Sequence, residues 1–285
     1  MEQVVIGASR FKTLTQTELN RFLDHTQSLG INKIDSAPLY ECEEKIGNYL
    51  ETNSKFLVST KTTYHEKSKQ PLKILEEFNR SQQNLKTQNI ECLFFHSTPP
   101  ALISEVNLEE LSLLKGNKLI KKIGYSGADF DLSDLKFRSQ LDCLMITFNA
   151  LDITDYNLIH KSNLEIYVKR PMANFIFKGA SIREFKSCIK NFLRMKRPID
   201  TQSYQFRFEK IQGRNSFNDN LKFYTRFLTH FNPRAKYVFG VSKIEHLDQI
   251  VKTINILNNE LTEDLIAYFN RLQLLSEEFK WRSLT

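Results

Sequence analysis

An aspartate, a tyrosine, a lysine and a histidine lie at the ends of three successive apolar runs of this 285-residue chain. The first run closes as Ile34-Asp35-Ser36-Ala37-Pro38-Leu39-Tyr40, the second as Val58-Ser59-Thr60-Lys61 and the third as Leu93-Phe94-Phe95-His96. Their chemistry is complementary. A free phenol has a pKa of about 10 and is a poor proton donor at neutral pH. A cation beside it stabilises the phenolate and brings that pKa toward the working range. On this reading Lys61 is the cation, Asp35 keeps it charged and oriented, and His96 orients a carbonyl oxygen. Tyr40 donates a proton to a substrate oxygen while another group delivers hydride. Each residue taken singly also has a structural reading, as an ion pair, a packed ring or a hydrogen-bonded imidazole. Their joint place at the carboxyl ends of neighbouring strands is what points to catalysis.

Those ends need a scaffold. Runs rich in Val, Ile, Leu and Phe predict strands at Val4–Gly7, Lys33–Ala37, Phe56–Lys61, Glu91–His96, Lys121–Ser126, Cys143–Asn149, Glu165–Pro171 and Tyr237–Ser242. They carry no polar alternation, as parallel strands covered on both faces should not. Helical periodicity fills the intervals. Thr15 to Leu29 opens with a capping-box pattern, Thr15 followed by Glu18, puts Leu19, Phe22, Leu23 and Thr26 on one face, and stops at Gly30. Pro71 to Leu85 opens with a proline in its first turn and turns Ile74, Leu75 and Phe78 inward. Further helices are predicted at Leu108–Leu114, Asp129–Phe137, Asp152–His160, Ile182–Met195, Leu221–Phe231, Lys243–Leu257 and Thr262–Phe279, with a loop from Lys196 to Asn215. Eight βα repeats in one α/β domain spanning 1–285 predict closure into a (β/α)8 TIM barrel with extra C-terminal helices, against an open doubly wound sheet as the rival.

Composition narrows the choices. No two glycines are spaced G-x-G, which removes the Rossmann and Walker-A phosphate loops, and neither H-E-x-x-H nor G-x-S-x-G occurs. Cys42, Cys92, Cys143 and Cys188 stand about fifty residues apart with no C-x-x-C, which reads as buried or incidental thiols in a reducing compartment. His96 and Asp35 are too few for a three-ligand metal hydrolase site, with Lys61 an awkward neighbour for a dication, so no metal is expected. A net charge of +7 is spread over amphipathic segments, and implies no specific nucleic-acid partner. No apolar run nears the roughly 20 residues of a membrane span. The start lacks a secretory signal pattern, so the expectation is a cytoplasmic protein without a membrane partner.

At this point the chain resembles the aldo-keto reductase family. Asp35-Ser-Ala-Pro-Leu-Tyr40, followed by Glu44 and Gly47, is similar to the family's D-T-A-x-x-Y-G-x-x-E motif and its helix. Ser59-Thr-Lys61 and Phe94-Phe-His96 match the strands that end in the family lysine and histidine. Ile123-Gly-Tyr-Ser126 resembles I-G-V-S-N, Phe148-Asn149 resembles Y-N, and Lys169-Arg-Pro-Met-Ala-Asn174 resembles the K-R-P-x-A-N of some bacterial members. Val238-Phe-Gly-Val-Ser242 with Glu245-His-Leu resembles the last strand and cofactor helix.

The resemblance implies a barrel that binds a nicotinamide dinucleotide without a Rossmann domain, NADPH in the first place and NADH as the alternative. It carries Tyr40 over as general acid, Lys61 and Asp35 as its tuning pair, and His96 as the group that places the carbonyl. It puts Ser126 at the carboxamide, assigns Asn149 and Arg170 to the cofactor as well, and sets Ser242, Lys243 and His246 at the adenosine phosphate end. The implied partner is a small-molecule carbonyl substrate, sugar-like if loop residues Arg197, Gln202, Gln205 and Arg207 face it; the oligomeric state is open, with a monomer favoured. Two departures stand out: Gly127 and Met145 occupy positions where the family holds the carboxamide with an amide side chain. A nicotinamide-stacking aromatic is also replaced, around Lys169 and Arg170. These losses motivate a second expectation, a regulatory or scaffold protein that binds cofactor and turns over weakly.

Overall fold

Apolar runs buried on both faces leave their backbone polar groups only one another as partners, and here they pair in a ring. The computed structural model describes residues 1–53, 55–63, 71–127, 137–150, 153, 156, 162–172, 217–256, 265–270 and 273. In chain order these contain β1 (Val4–Gly7), α1 (Gln16–Ser28), β2 (Lys33–Asp35), α2 (Glu43–Leu50), β3 (Leu57–Lys61), α3 (Ile74–Leu85), β4 (Ile90–His96) and α4 (Glu105–Gly116). Then follow β5 (Ile120–Ser126), β6 (Cys143–Thr147), β7 (Glu165–Lys169), α5 (Phe217–Phe231), β8 (Lys236–Phe239) and α6 (Ile244–Ile256). The eight strands close in sequence order, every pair parallel, with β8 returning to β1. The predicted (β/α)8 barrel is the fold, and α6 follows its last strand.

Alternation along each strand sorts the side chains into an interior and a helix-facing layer. Val5, Cys92, Phe94, Cys143, Met145, Tyr167 and Val238 fill the barrel. The next inward positions toward the carboxyl ends are Asp35, Lys61, His96, Ser126, Thr147 and Lys169. At the opposite mouth Lys122 pairs with Glu91 at 3.1 Å and with Glu165 at 2.7 Å, and Lys236 also pairs with Glu165. One end of the barrel is thus closed by a structural ion network, and the other presents the residues that can do chemistry.

Local signals held where they depended on short-range physics. Thr15 and Glu18 form the capping box, and Leu19, Phe22, Leu23 and Thr26 are the buried face of α1. Other boundaries moved. α4 begins at Glu105 rather than Leu108, because Ser104 and Asn107 make a reciprocal cap that the usual Glu or Gln pattern does not reveal. α3 begins at Ile74, its first buried residue, leaving Pro71 upstream, and Leu75 is only half-buried. Strands β2, β6, β7 and β8 all stop short of their predicted carboxyl ends, because the chain leaves the ladder there to form the mouth. After β2 it enters a 3-10 turn at Pro38–Tyr40, and after β7 Arg170 adopts a left-handed φ of 54°.

The predicted helices Asp129–Phe137, Asp152–His160, Ile182–Met195 and the later part of Thr262–Phe279, with the loop Lys196–Asn215, lie wholly or largely outside the described residues. Residues 265–270 are helical and pack onto α5, where Phe231 and Phe269 stack at 3.9 Å. Cys42, Cys92 and Cys143 are buried free thiols. Among the described residues no helix is long and apolar enough to cross a membrane.

Candidate active site

The four residues singled out by type meet at the carboxyl-end mouth. Lys61 donates to Asp35 Oδ1 at 2.7 Å, to Oδ2 at 2.6 Å and to the Ser36 carbonyl at 2.8 Å. Its ammonium lies 5.0 Å from the centre of the Tyr40 ring. The Tyr40 and His96 rings meet edge to face at 6.2 Å. Parallel strands bring their carboxyl ends to one mouth: Asp35 lies opposite Ser59 and Lys61 opposite Phe94, so Lys61 and His96 each stand two residues beyond the partner of the preceding strand. Tyr40 joins them from the 3-10 turn that follows β2, its amide donating to the Ala37 carbonyl at 2.9 Å.

Burial sets the electrostatics. For Lys61 burial opposes the charge, but the attraction of Asp35 and then of Tyr40 holds the ammonium above its ordinary range. Burial drives the His96 imidazole down to about 2, and the nearby Lys61 and Lys169 add to that, so this ring is neutral. One expectation is corrected. Lys61 does pull the Tyr40 phenol down, but burial pushes it up more strongly and Asp35 adds to the rise, so its pKa lies above the ordinary value. Tyr40 therefore keeps its proton at neutral pH.

The residues assigned to a cofactor ring the same mouth. Ser126 is buried at the inward end of β5. Asn149 donates to the Arg170 carbonyl at 3.1 Å, tying the loop after β6 to the turn after β7. Ser242 and Lys243 precede the first turn of α6, whose backbone N–H groups favour an anion, and His246 lies within that turn. Burial and the charges of Lys243 and Arg10 hold His246 below its ordinary pKa. Arg10, in the 3-10 segment after β1, is a cation at this end that the sequence reading missed; no motif marks it.

The two departures have physical causes. A Cβ at Gly127 would meet Tyr125 Cε1 at 2.4 Å, so no amide side chain fits there while that ring donates to the Thr98 carbonyl. Met145 is part of the apolar barrel filling. Of Lys169 and Arg170, Lys169 ends β7 facing inward and donates to the Gly127 carbonyl at 3.2 Å.

Another missed residue is Glu43. The sequence reading matched Glu44 to the family motif, but Glu44 is exposed and Glu43 is buried. Glu43 accepts from Thr60 at 2.6 Å and from Ser81 at 3.2 Å, joining the helix after Tyr40 to the strand of Lys61 and to α3. Gly47 permits the approach, since a Cβ there would meet the Asn84 carbonyl oxygen at 2.0 Å. Only burial distinguishes two adjacent glutamates. Among the described residues no three His, Cys, Asp or Glu side chains converge as metal ligands.

The family model of the aldo/keto reductase family matches residues 3–273. No curated protein matches the chain. Among solved structures, an aldo-keto reductase of Bacillus halodurans in its holo form superposes with a TM-score of 0.71 at 18% identity, covering 95% of this chain and 91% of that one. Its apo form gives a TM-score of 0.66 at 17% identity, over 94% and 89% of the two chains. A Pseudomonas aeruginosa protein described as an aldo-keto reductase gives 0.65 at 20% identity, over 88% of each chain. At such identities these likenesses speak for the fold.

Proposed function

This chain belongs to the aldo/keto reductase family, and we propose on that premise that it reduces an aldehyde or ketone to an alcohol, with NADPH as hydride donor and Tyr40 as proton donor. The observation that carries the reading is the meeting of Tyr40, Lys61, Asp35 and His96 at the carboxyl-end mouth of the barrel. When bound, NADPH supplies the hydride. Tyr40 hydrogen-bonds the carbonyl oxygen and passes its proton as negative charge gathers there. An alkoxide is far more basic than a phenolate, so the transfer runs downhill even with the phenol pKa raised. Lys61 stabilises the phenolate left behind, and Asp35 keeps Lys61 protonated. The neutral His96 offers a ring N–H to the same oxygen.

The residues present fit a phosphorylated dinucleotide. Lys243, His246 and Arg10 gather at one helix N-terminus, which suits the anionic end, with Ser242 beside them. Ser126 suits the carboxamide, and Asn149 and Arg170, joined by a hydrogen bond, are assigned to the cofactor as well. NADH is the alternative donor. The substrate is a small carbonyl compound, and the chain acts as a monomeric domain over 1–285 in a reducing, cytoplasmic setting that suits its free thiols.

A second reading has its own observation. Tyr125 excludes an amide side chain at Gly127 and Met145 is drawn into the apolar interior, which favours a protein that binds cofactor for regulation or scaffolding. Single-turnover oxidation of bound NADPH by a panel of reactive aldehydes separates the two. The reductase oxidises NADPH, and Tyr40→Phe slows it by about 100-fold or more while binding survives. Tight binding with no oxidation by any aldehyde favours the second reading, and binding of neither NADPH nor NADH overturns both.

A further inference from the structure

We propose that Thr147 binds the carboxamide of the nicotinamide, a role that rests on the reading above. Thr147 closes β6, and its side chain is buried with a hydroxyl that has no hydrogen-bond partner. Cys143 and Met145, four and two residues before it, face the barrel interior, so alternation turns Thr147 inward as well. Because it ends its strand, it faces the mouth. Its partner on β7 is Lys169, and Met145 before it pairs with Ser126 on β5.

A buried hydroxyl without a partner is unfavourable compared with the methyl of a valine, which has the same shape. Such a group at a ligand-binding mouth is explained if the ligand completes it. Position and chemistry then select the group. The substrate carbonyl belongs to Tyr40 and His96 on the β2–β4 side, and phosphates belong to the cations near α6. Thr147 lies on the β5–β6 side beside Ser126, and a hydroxyl, as both donor and acceptor, matches a carboxamide, which is also both. With Gly127 lacking a side chain and Met145 apolar, Thr147 supplies the second polar contact there.

The test compares Thr147→Val and Thr147→Ser with the unaltered protein, measuring NADPH affinity by the fluorescence of the bound reduced ring and melting temperature without ligand. Thr147→Val is expected to bind NADPH about tenfold more weakly, the worth of one neutral hydrogen bond, while melting at the same or a higher temperature. Thr147→Ser restores affinity. Phospho-ADP-ribose, which lacks the nicotinamide, binds all three proteins alike. Unchanged NADPH affinity in Thr147→Val overturns the proposal, as does a lowered melting temperature with affinity intact, the mark of a water-held structural hydroxyl. Unchanged affinity with a raised KM for the carbonyl compound assigns the hydroxyl to substrate and also overturns it. If the unaltered protein binds neither nucleotide, the reductase reading fails first and takes this one with it.

Discussion

Lys61 reaches both carboxylate oxygens of Asp35, at 2.7 and 2.6 Å, with only 1% and 4% of the two side chains exposed. Removing one partner strands the other charge in the interior. Asp35→Ala and Lys61→Met are each expected to cost about 3–5 kcal/mol in urea unfolding. The double variant Asp35→Ala, Lys61→Met should lose clearly less than their sum, since it leaves no buried charge. Additive losses would show that the two charges do not depend on each other.

His96 gives the stability a defined response to acid. Its native pKa is about 2, first through burial and then through Lys61 and Lys169, whereas an unfolded histidine titrates near its ordinary value of about 6.5. Between these values the unfolded chain binds the additional proton, so stability falls as pH drops through that window. Above it this residue has no effect. His96→Gln should flatten the dependence by up to about 1.4 kcal/mol per pH unit, read from urea midpoints. Carbonyl reduction should show no acid limb from this ring near neutrality.

Glu43 clamps α2 to β3 through Thr60 at 2.6 Å and to α3 through Ser81 at 3.2 Å, and burial raises its carboxyl pKa. Glu43→Leu leaves two hydroxyls unpaired and should destabilise the fold by about 2–4 kcal/mol. Because Tyr40 lies just ahead of α2 and Lys61 follows Thr60, kcat should fall as well. Glu43→Gln keeps both bonds without the buried charge, so both losses should be small; a Gln variant as impaired as the Leu variant would refute the clamp.

Lys243 stands just ahead of α6, close to His246 and Arg10. If this end receives the adenosine phosphate, Lys243→Met should weaken NADPH by about tenfold, one charge-assisted contact, and NADH by far less. Titration of both nucleotides at low and high salt reads the difference, which salt should shrink. Equal losses for the two would place the phosphate elsewhere.

The barrel and its four mouth residues were legible because strand runs, helical periodicity and residue type are local properties. Asp35, Lys61 and His96 end inward-facing strand positions, and Tyr40 follows one of them. Glu43 was not legible, since beside Glu44 it differs only in which face of α2 is covered by β3 and α3. The acidity of Tyr40 was misjudged for a related reason. The neighbouring charge could be read from Lys61, but the burial that outweighs it could not.

The chain alone determined that eight apolar runs alternate with helices and that an acid, a phenol, an amine and an imidazole occur near the ends of consecutive runs. Those facts follow from side-chain chemistry and from periods of two and 3.6 along the backbone. Tertiary structure decided which groups lose water. It sealed the Asp35–Lys61 pair, kept His96 neutral, buried Glu43 in place of Glu44, pressed Tyr125 against Gly127 and left the Thr147 hydroxyl without a partner. Desolvation depends on atoms contributed by distant segments, and no local pattern encodes it.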